Sequence, residues 1–350
     1  MKPFYTMREN AVATILIDGP YFEEFTSGQT FVAPSITVTD GHAAVYAALF
    51  GDRMRLPLDR HLSRKVTGDP RGLCHPYLAM HLAAGQTTYA SQHVKGNLFY
   101  RGVLLQRPVF LGDSLYTTTK VVGLKQNKAK AGRAATGMVA LEMTTVNQRD
   151  EVVLHFWRCP MIACKDPAAL TGHNDNFDWI KNTFSIEELT GALPQQWNLA
   201  PLASDLTGLK SPLVAAGDVF EIAPKDTVTC APELVRMSLN IAYTHTDETR
   251  SYLGQRLVYG GHTISLALAQ IGRALPNLLH MVAWRHCDHL GPVLEGDLIS
   301  SRFTVVSCHP VQTGGTLYDL SVEASAHRKN KNGEMLGEKV LDWGLVVWGA

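Results

Sequence analysis

Tyr100-Arg101, followed by Pro108-Val109-Phe110-Leu111-Gly112-Asp113, returns later in the chain as Trp284-Arg285 followed in identical register by Pro292-Val293-Leu294-Glu295-Gly296-Asp297. Working outward, three more stretches return in the same order. Gly28-Gln29-Thr30-Phe31-Val32-Ala33-Pro34 matches Gly217-Asp218-Val219-Phe220-Glu221-Ile222-Ala223-Pro224. Cys74-His75-Pro76-Tyr77-Leu78-Ala79-Met80 and Gly260-Gly261-His262-Thr263-Ile264-Ser265-Leu266 each open an apolar stretch, and Phe156-Trp157 answers to Asp342-Trp343. One such match is within chance; four in order, at similar spacing, describe a duplication. The chain of 350 residues divides into a first repeat over 1–164, a connector over 165–212 and a second repeat over 213–350. The connector, with Asn174-Asp175-Asn176 and Pro194-Gln195-Gln196, has few regular apolar patterns.

Each copy reads the same way. A short strand comes first, over Thr30–Thr39 or Val219–Thr229, and then a helical stretch and a loop. An apolar helix follows, over Pro76–Ala84 or Thr263–Leu275. Ile264, Leu266, Ala267, Leu268, Ile271 and Leu275 make most of the second helix's circumference apolar, so it is expected to be buried on most sides. Runs such as Phe303-Thr304-Val305-Val306 and Leu320-Ser321-Val322-Glu323-Ala324 are of strand type, separated by turns such as Asn330-Lys331-Asn332-Gly333. The class is α+β: in each repeat, an antiparallel sheet wrapped around one central helix.

Composition narrows the function. Lys and Arg number 32 and Asp and Glu number 32, so the formal charge is zero and a non-specific nucleic-acid binder is disfavoured. Hydrophobic residues at 45% supply a core, and no apolar run reaches bilayer-spanning length. Met1 to Asn10 lacks the apolar block of a secretory signal. The cysteines (Cys74, Cys159, Cys164, Cys230, Cys287 and Cys308) form no CxxC pair, which fits a reducing, cytoplasmic setting. Among 14 histidines, the run His286-Cys287-Asp288-His289 is the densest candidate metal cluster. On a strand its neighbours point to opposite faces, and no second cluster accompanies it, so no metal is expected.

The duplicated plan resembles the double hotdog arrangement and, more narrowly, the MaoC-like, R-specific enoyl-CoA hydratase family. The Pro-Val-x-x-Gly-Asp pieces at Pro108 and Pro292 carry that resemblance over nearly the whole chain outside the connector. Tyr259-Gly260-Gly261-His262-Thr263-Ile264-Ser265 and Asn240-Ile241-Ala242-Tyr243-Thr244-His245 look most like the mesaconyl-CoA hydratase (β-methylmalyl-CoA dehydratase) branch. The resemblance implies a catalytic Asp with a His five residues later, on a loop ahead of the central helix. This chain splits that pair. Asp52 stands in the first copy with Pro57 where the His is expected, and His245 stands in the second with Asn240 where the Asp is expected.

Adding water to a 2-enoyl thioester needs a base, a proton for the α-carbon and stabilisation of the enolate oxygen. Imidazole titrates near neutral pH, so His245 is the expected base. Asn240 would orient the water or the imidazole, and Asp247 would set the tautomer of His245. Tyr259, Gly260, Gly261 and the backbone of His262 are the expected substrate-binding group, because a helix start offers free N–H groups and glycine permits close approach. Asp52 and His75 are a possible second site. Arg101 and Arg285 read either as structural ion pairs or as contacts for an acidic acyl group. Lys125, Lys128, Lys130 and Arg133, and His327, Arg328, Lys329 and Lys331 in the second copy, are candidates for coenzyme A phosphates. The resemblance thus implies a reversible acyl-CoA hydratase/dehydratase with no cofactor, coenzyme A entering only as part of the substrate, in a monomer or homodimer. A hotdog acyl-CoA thioesterase and an acyl-CoA-binding protein without turnover stand as alternatives.

Overall fold

The computed structural model describes residues 14–207 and 214–350. Residues 1–13, with the expected leaderless N-terminus, and 208–213, where the connector was expected to end, lie outside the described residues.

Among the described residues, twelve strands form one sheet. The first repeat supplies β1 (Thr30–Val32), β2 (Ile36–Thr37), β3 (Val94–Leu105), β4 (Ser114–Gln126), β5 (Thr136–Val146) and β6 (Val152–Ala163). The second supplies β7 (Val219–Glu221), β8 (Asp226–Thr227), β9 (Leu278–His289), β10 (Leu298–Pro310), β11 (Thr316–Lys329) and β12 (Met335–Gly349). The order β1-β4-β5-β6-β3-β9-β12-β11-β10-β7 is a mirror-like reading of the duplication, with β2 on β4 and β8 on β10. The repeats do not carry separate sheets: β3 and β9 pair antiparallel at the centre, Tyr100 opposite Cys287 and Val103 opposite Trp284. Each expected first strand is broken in two, at Ala33-Pro34 and at Ala223-Pro224, where proline has no N–H to give to a ladder.

The repeated Pro-Val-x-x-Gly-Asp motif is a turn. The Asp113 carboxylate accepts from the Phe110 N–H at 2.9 Å, and the Asp297 carboxylate accepts from the Leu294 N–H at 2.8 Å. Gly112 and Gly296 sit at φ 96° and 89°, a left-handed conformation that side chains resist. The turn then feeds β4 or β10, whose alternating pattern puts Leu115, Val121, Ile299 and Phe303 inward.

Two central helices, Pro76–Gln86 and Gly260–Ala274, lie against the inner face of the sheet and are buried on nearly all sides. Gln86 and Gln270 anchor them alike, each side-chain amide donating to a strand carbonyl, of Leu115 and Ile299 respectively. The connector is more than a crossing segment. Its short helices Ile186–Gly191 and Ala200–Asp205, with Trp197, build a second apolar core over the outer face of the second repeat, against Leu279, Val282, Val346 and Trp348. That cover explains why β12 is apolar on both faces near its end.

Candidate active site

A cavity of about 240 Å³ opens where the second repeat's loop meets the first repeat's strands. Asn240, His245, Tyr259 and Gly260 line it from one side, and Tyr100 and Arg158 from the other. The short helix Tyr243–Thr246 presents His245. Its Nδ1 donates to the Leu257 carbonyl at 2.8 Å, which leaves Nε2 as the lone-pair nitrogen. Burial pushes the imidazole down to about 4 against the raising effect of that carbonyl, so the ring is neutral at physiological pH. The Asn240 side-chain oxygen accepts from the Ala242 N–H at 2.9 Å, and its amide NH₂ donates to no acceptor among the described residues. Leu239, just ahead of it, is held at φ 59°, where the first repeat has Gly51 at φ 57°.

Gly260 begins the second central helix, and the N–H groups of Gly260 and Gly261 donate to no acceptor among the described residues. A side chain at Gly260 would run into the His289 ring, so glycine is what lets the backbone reach the cavity there. His289 also lines the cavity and is itself pushed down to about 4 by burial.

The expected site residues separate. His245, Asn240, Tyr259 and Gly260 come together, while Gly261 lies one residue behind, against His81 and Tyr259. His262 does not join them. Its amide donates to the Tyr259 carbonyl, and its Nε2 lies 2.8 Å from the Thr229 carbonyl with the ring against Phe50. Asp247 does not hold His245; the Leu257 carbonyl does. Asp247 accepts from the Thr249 N–H and caps the short helix Glu248–Arg250, as Asp59 caps Arg60–Thr67 in the first repeat.

Asp52 and His75 do meet, Nε2 to Oδ1 at 3.4 Å, both buried. Burial raises the Asp52 carboxyl, yet His75 and the Met54 N–H beside it hold it below the usual range. The pair does not line the cavity, and bulky rings occupy the corresponding space. Trp284 stands at the place of Tyr100 and stacks on Tyr77 at 5.3 Å, with Trp343 edge-on at 5.3 Å. Of the doubtful arginines, Arg101 pairs with Asp288 and Arg285 with Asp319, so both are structural. The run 286–289 disperses as strand alternation requires: His286 pairs with Asp342, Asp288 with Arg101, Cys287 is in the core and His289 in the cavity. Among the described residues no three His, Cys, Asp or Glu side chains converge as a metal site, and no helix is long and apolar enough to cross a membrane.

Sequence reading missed Tyr100, Arg158 and His289 as cavity residues. Tyr100 and His289 fall in stretches already singled out, as part of the duplication and of the histidine cluster. Arg158 adjoins Trp157, and its place follows only from strand register.

Fold and cleft together define a double-hotdog protein with a cleft shared between its repeats. β-Methylmalyl-CoA dehydratase of Chloroflexus aurantiacus is 32% identical over 297 residues, 80% of this chain and 80% of that protein. Mesaconyl-CoA hydratase of Cereibacter sphaeroides is 28% identical over 351 residues, 94% of this chain and 98% of that protein. A double-hotdog protein of Mycobacterium tuberculosis superposes with TM-score 0.86 at 40% identity, covering 95% of this chain and 99% of that one. A MaoC-domain dehydratase of C. aurantiacus gives 0.81 at 27% identity, covering 96% and 99%. No family model matches the chain. The chain belongs to the MaoC-like double-hotdog family that contains β-methylmalyl-CoA dehydratase and mesaconyl-CoA hydratase.

Proposed function

We propose that the protein is a hydro-lyase that adds water reversibly to a short 2-enoyl-CoA, with His245 as its single base and acid. The observation that carries this is the Nδ1–H bond of His245 to Leu257, which aims an unprotonated Nε2 at the cavity that Asn240 and Gly260 also line. The Asn240 amide donates to the water oxygen and Nε2 takes one of its protons. The oxygen bonds to the β-carbon, and the π electrons move to the thioester oxygen, which the Gly260 N–H at the helix start receives. The enolate then collapses and the α-carbon takes the proton back from the imidazolium. An imidazole of depressed pKa suits that return, since its protonated form is a strong acid. Asn240 titrates at no working pH, so the absence of a second carboxylate is no obstacle.

Met161 lines both this cavity and a neighbouring cleft of about 390 Å³ whose rim carries Lys128, Lys130 and Arg133. The coenzyme's phosphates lie there; replacing Lys128 and Lys130 by alanine raises KM in a salt-dependent way, and an unchanged KM removes this placement. One chain holds both walls of the cavity, so monomer and homodimer are equally competent. The central test is loss of enoyl-thioester absorbance across a panel of 2-enoyl-CoAs. His245→Ala lowers kcat by about 10²–10⁴ with KM within severalfold. Free thiol release from saturated acyl-CoA would instead mark a thioesterase, and tight binding without any product an acyl-CoA carrier.

A further inference from the structure

The short helix that carries His245 has no stability of its own, because a single turn fixes more dihedrals than it makes hydrogen bonds. Beside the active cavity it borders a second one of about 240 Å³, lined by Tyr21, His93, Tyr243, Thr244 and Arg250. Polar ties rather than close packing therefore set its place there, and they converge on Asp18, ahead of the first repeat's strands. The hydroxyl of Tyr243, the first residue of the helix, donates to Asp18 Oδ1 at 3.0 Å. His93 Nε2 lies 2.9 Å and Arg250 Nη1 3.7 Å from the same oxygen. The Arg250 guanidinium also lies over the Tyr243 ring, 4.7 Å from its centroid. Asp18 is fixed in turn by the Gly19 N–H at 2.9 Å and the Tyr21 hydroxyl at 3.3 Å. Gly19 sits so close to Gln92 that a side chain there would strike it, and the Gln92 carbonyl accepts the Tyr243 N–H at 2.9 Å. The Gln92 side-chain oxygen is also 3.0 Å from the Tyr243 hydroxyl, but a carboxylate is the stronger acceptor.

The duplication repeats the device crosswise. The first repeat's equivalent helix, Arg55–Leu58, starts with Arg55 where the second has Tyr243, and Arg55 pairs with Asp205 at the end of a connector helix. Asp18 precedes Gly28 and Asp205 precedes Gly217, the matched glycines of the two repeats. Each leading segment thus ties down the short helix of the other repeat. The two ties differ in chemistry and agree in geometry, so what they share is the placement of the helix.

We propose that Asp18 is a positioning residue that acts through Tyr243: it holds the helix Tyr243–Thr246 where His245 Nδ1 reaches the Leu257 carbonyl and Nε2 reaches the cavity. The catalytic consequence rests on the reading of His245 as the base; the clamp itself is read without turnover. The titratable and charged groups facing Asp18 are His93, Arg250, Tyr21 and Tyr243, and those facing His245 are Arg158, His289 and Tyr259. Releasing the helix breaks the Leu257 bond and wets the ring. Burial is the larger of the two effects on His245, so its pKa moves up toward the ordinary value.

The experiment is an NMR pH titration of the full chain with isotope-labelled histidine, the His245 signal being identified by its loss in His245→Gln, together with kcat and KM. The variants are Asp18→Ala, Tyr243→Phe and Asp18→Asn. Asp59→Ala, which removes a helix cap in the first repeat, controls for lost stability alone. Asp18→Ala and Tyr243→Phe are expected to raise the pKa of His245 from about 4 by about one unit or more, and to lower kcat by about 10–100-fold with KM within about threefold. Asp18→Asn keeps an oxygen acceptor for the Tyr243 hydroxyl and stays within about threefold of the wild type in kcat. An unmoved His245 signal in Asp18→Ala overturns the proposal, as does an equal movement in Asp59→Ala, or an Asp18→Asn that behaves as Asp18→Ala. A signal that moves while kcat is unchanged, or while no 2-enoyl-CoA is hydrated at all, upholds the clamp and removes only the reading of His245 as the base.

Discussion

His81 Nε2 and the Ser265 hydroxyl share a hydrogen bond of 2.8 Å, and the two residues occupy the same position of the two central helices. The pseudo-twofold of the molecule passes through this contact. The Tyr46 hydroxyl reaches Ser265 as well, at 3.4 Å, so the polar seam between the helices is buried beside the Asp52–His75 pair. Burial holds His81 well below its ordinary pKa, and it serves as a neutral hydrogen-bonding ring.

The pH dependence of turnover follows from His245. The base works only when neutral, and its folded pKa is about 4. The acid limb of kcat/KM therefore falls near pH 4, and no loss occurs around 6.5. A pH–rate profile with an inflection near 6.5 that disappears in His245→Gln would contradict this.

Stability responds in the same window with a definite sign. His245 and His289 both titrate near 4 when folded, against about 6.5 unfolded. Between those values the unfolded chain binds more protons, so stability falls as pH drops from about 6.5 to about 4 and levels off below. Thermal melts across that range, in the wild type and in His289→Phe, read the slope; a variant with an undiminished slope would deny His289 its share.

Asp247 and Asp59 should behave alike, since each caps the start of a short helix after the same loop. Replacing either by alanine lowers stability by removing the cap and leaves kcat within about twofold. A large loss of kcat confined to Asp247→Ala would restore to it a part in the chemistry.

Asp52→Asn is expected to leave hydration unchanged within about twofold, because Trp284 and Tyr77 fill the space a substrate would need beside it. The cost appears as lower stability, through the weakened contacts of the Asp52 carboxylate with the Met54 N–H and the His75 ring. Initial rates and denaturant midpoints measured on the same sample distinguish the two effects.

Leu239 carries backbone strain that its counterpart Gly51 does not. Leu239→Gly should relieve about 1 kcal/mol, partly offset by the flexibility glycine adds to the unfolded chain. A rise in Tm with kcat retained is the expected result; a fall in Tm would mean that the partly exposed Leu239 side chain contributes more packing than the left-handed conformation costs.

Much of this was legible in the chain itself because the duplication rests on turns, and turns have strict chemistry. Gly112 with Asp113 and Gly296 with Asp297 close the same loop in both copies, so the repeat survives where strand residues have drifted. His245 and Gly260 could be read for the same reason: a loop imidazole and a helix-opening glycine announce themselves locally. Arg158 could not, because a strand residue faces the cavity only through a register shared by β3, β5 and β6, and no local pattern encodes that. Asp247 was misplaced by nearness in sequence to His245, although Asp59, at the same place in the copy without the histidine, already pointed to capping. His289 lay hidden in a run that resembled a metal cluster until alternation along β9 sent its members to different surroundings.

A symmetric pair of identical hotdog subunits obeys its dyad: whatever side chain enters one cleft enters the other, and every gain in one is a cost borne twice. The antiparallel seam between β3 and β9, drawn within a single polypeptide, lifts that obligation. Gly261 of the second repeat stands where the first has Tyr77, and Arg158 of the first repeat stands where the second has Leu345, so each repeat gives a different wall to the same cleft. Cutting the chain into two copies of either half would therefore not regenerate the cleft, since neither half contains both of its walls.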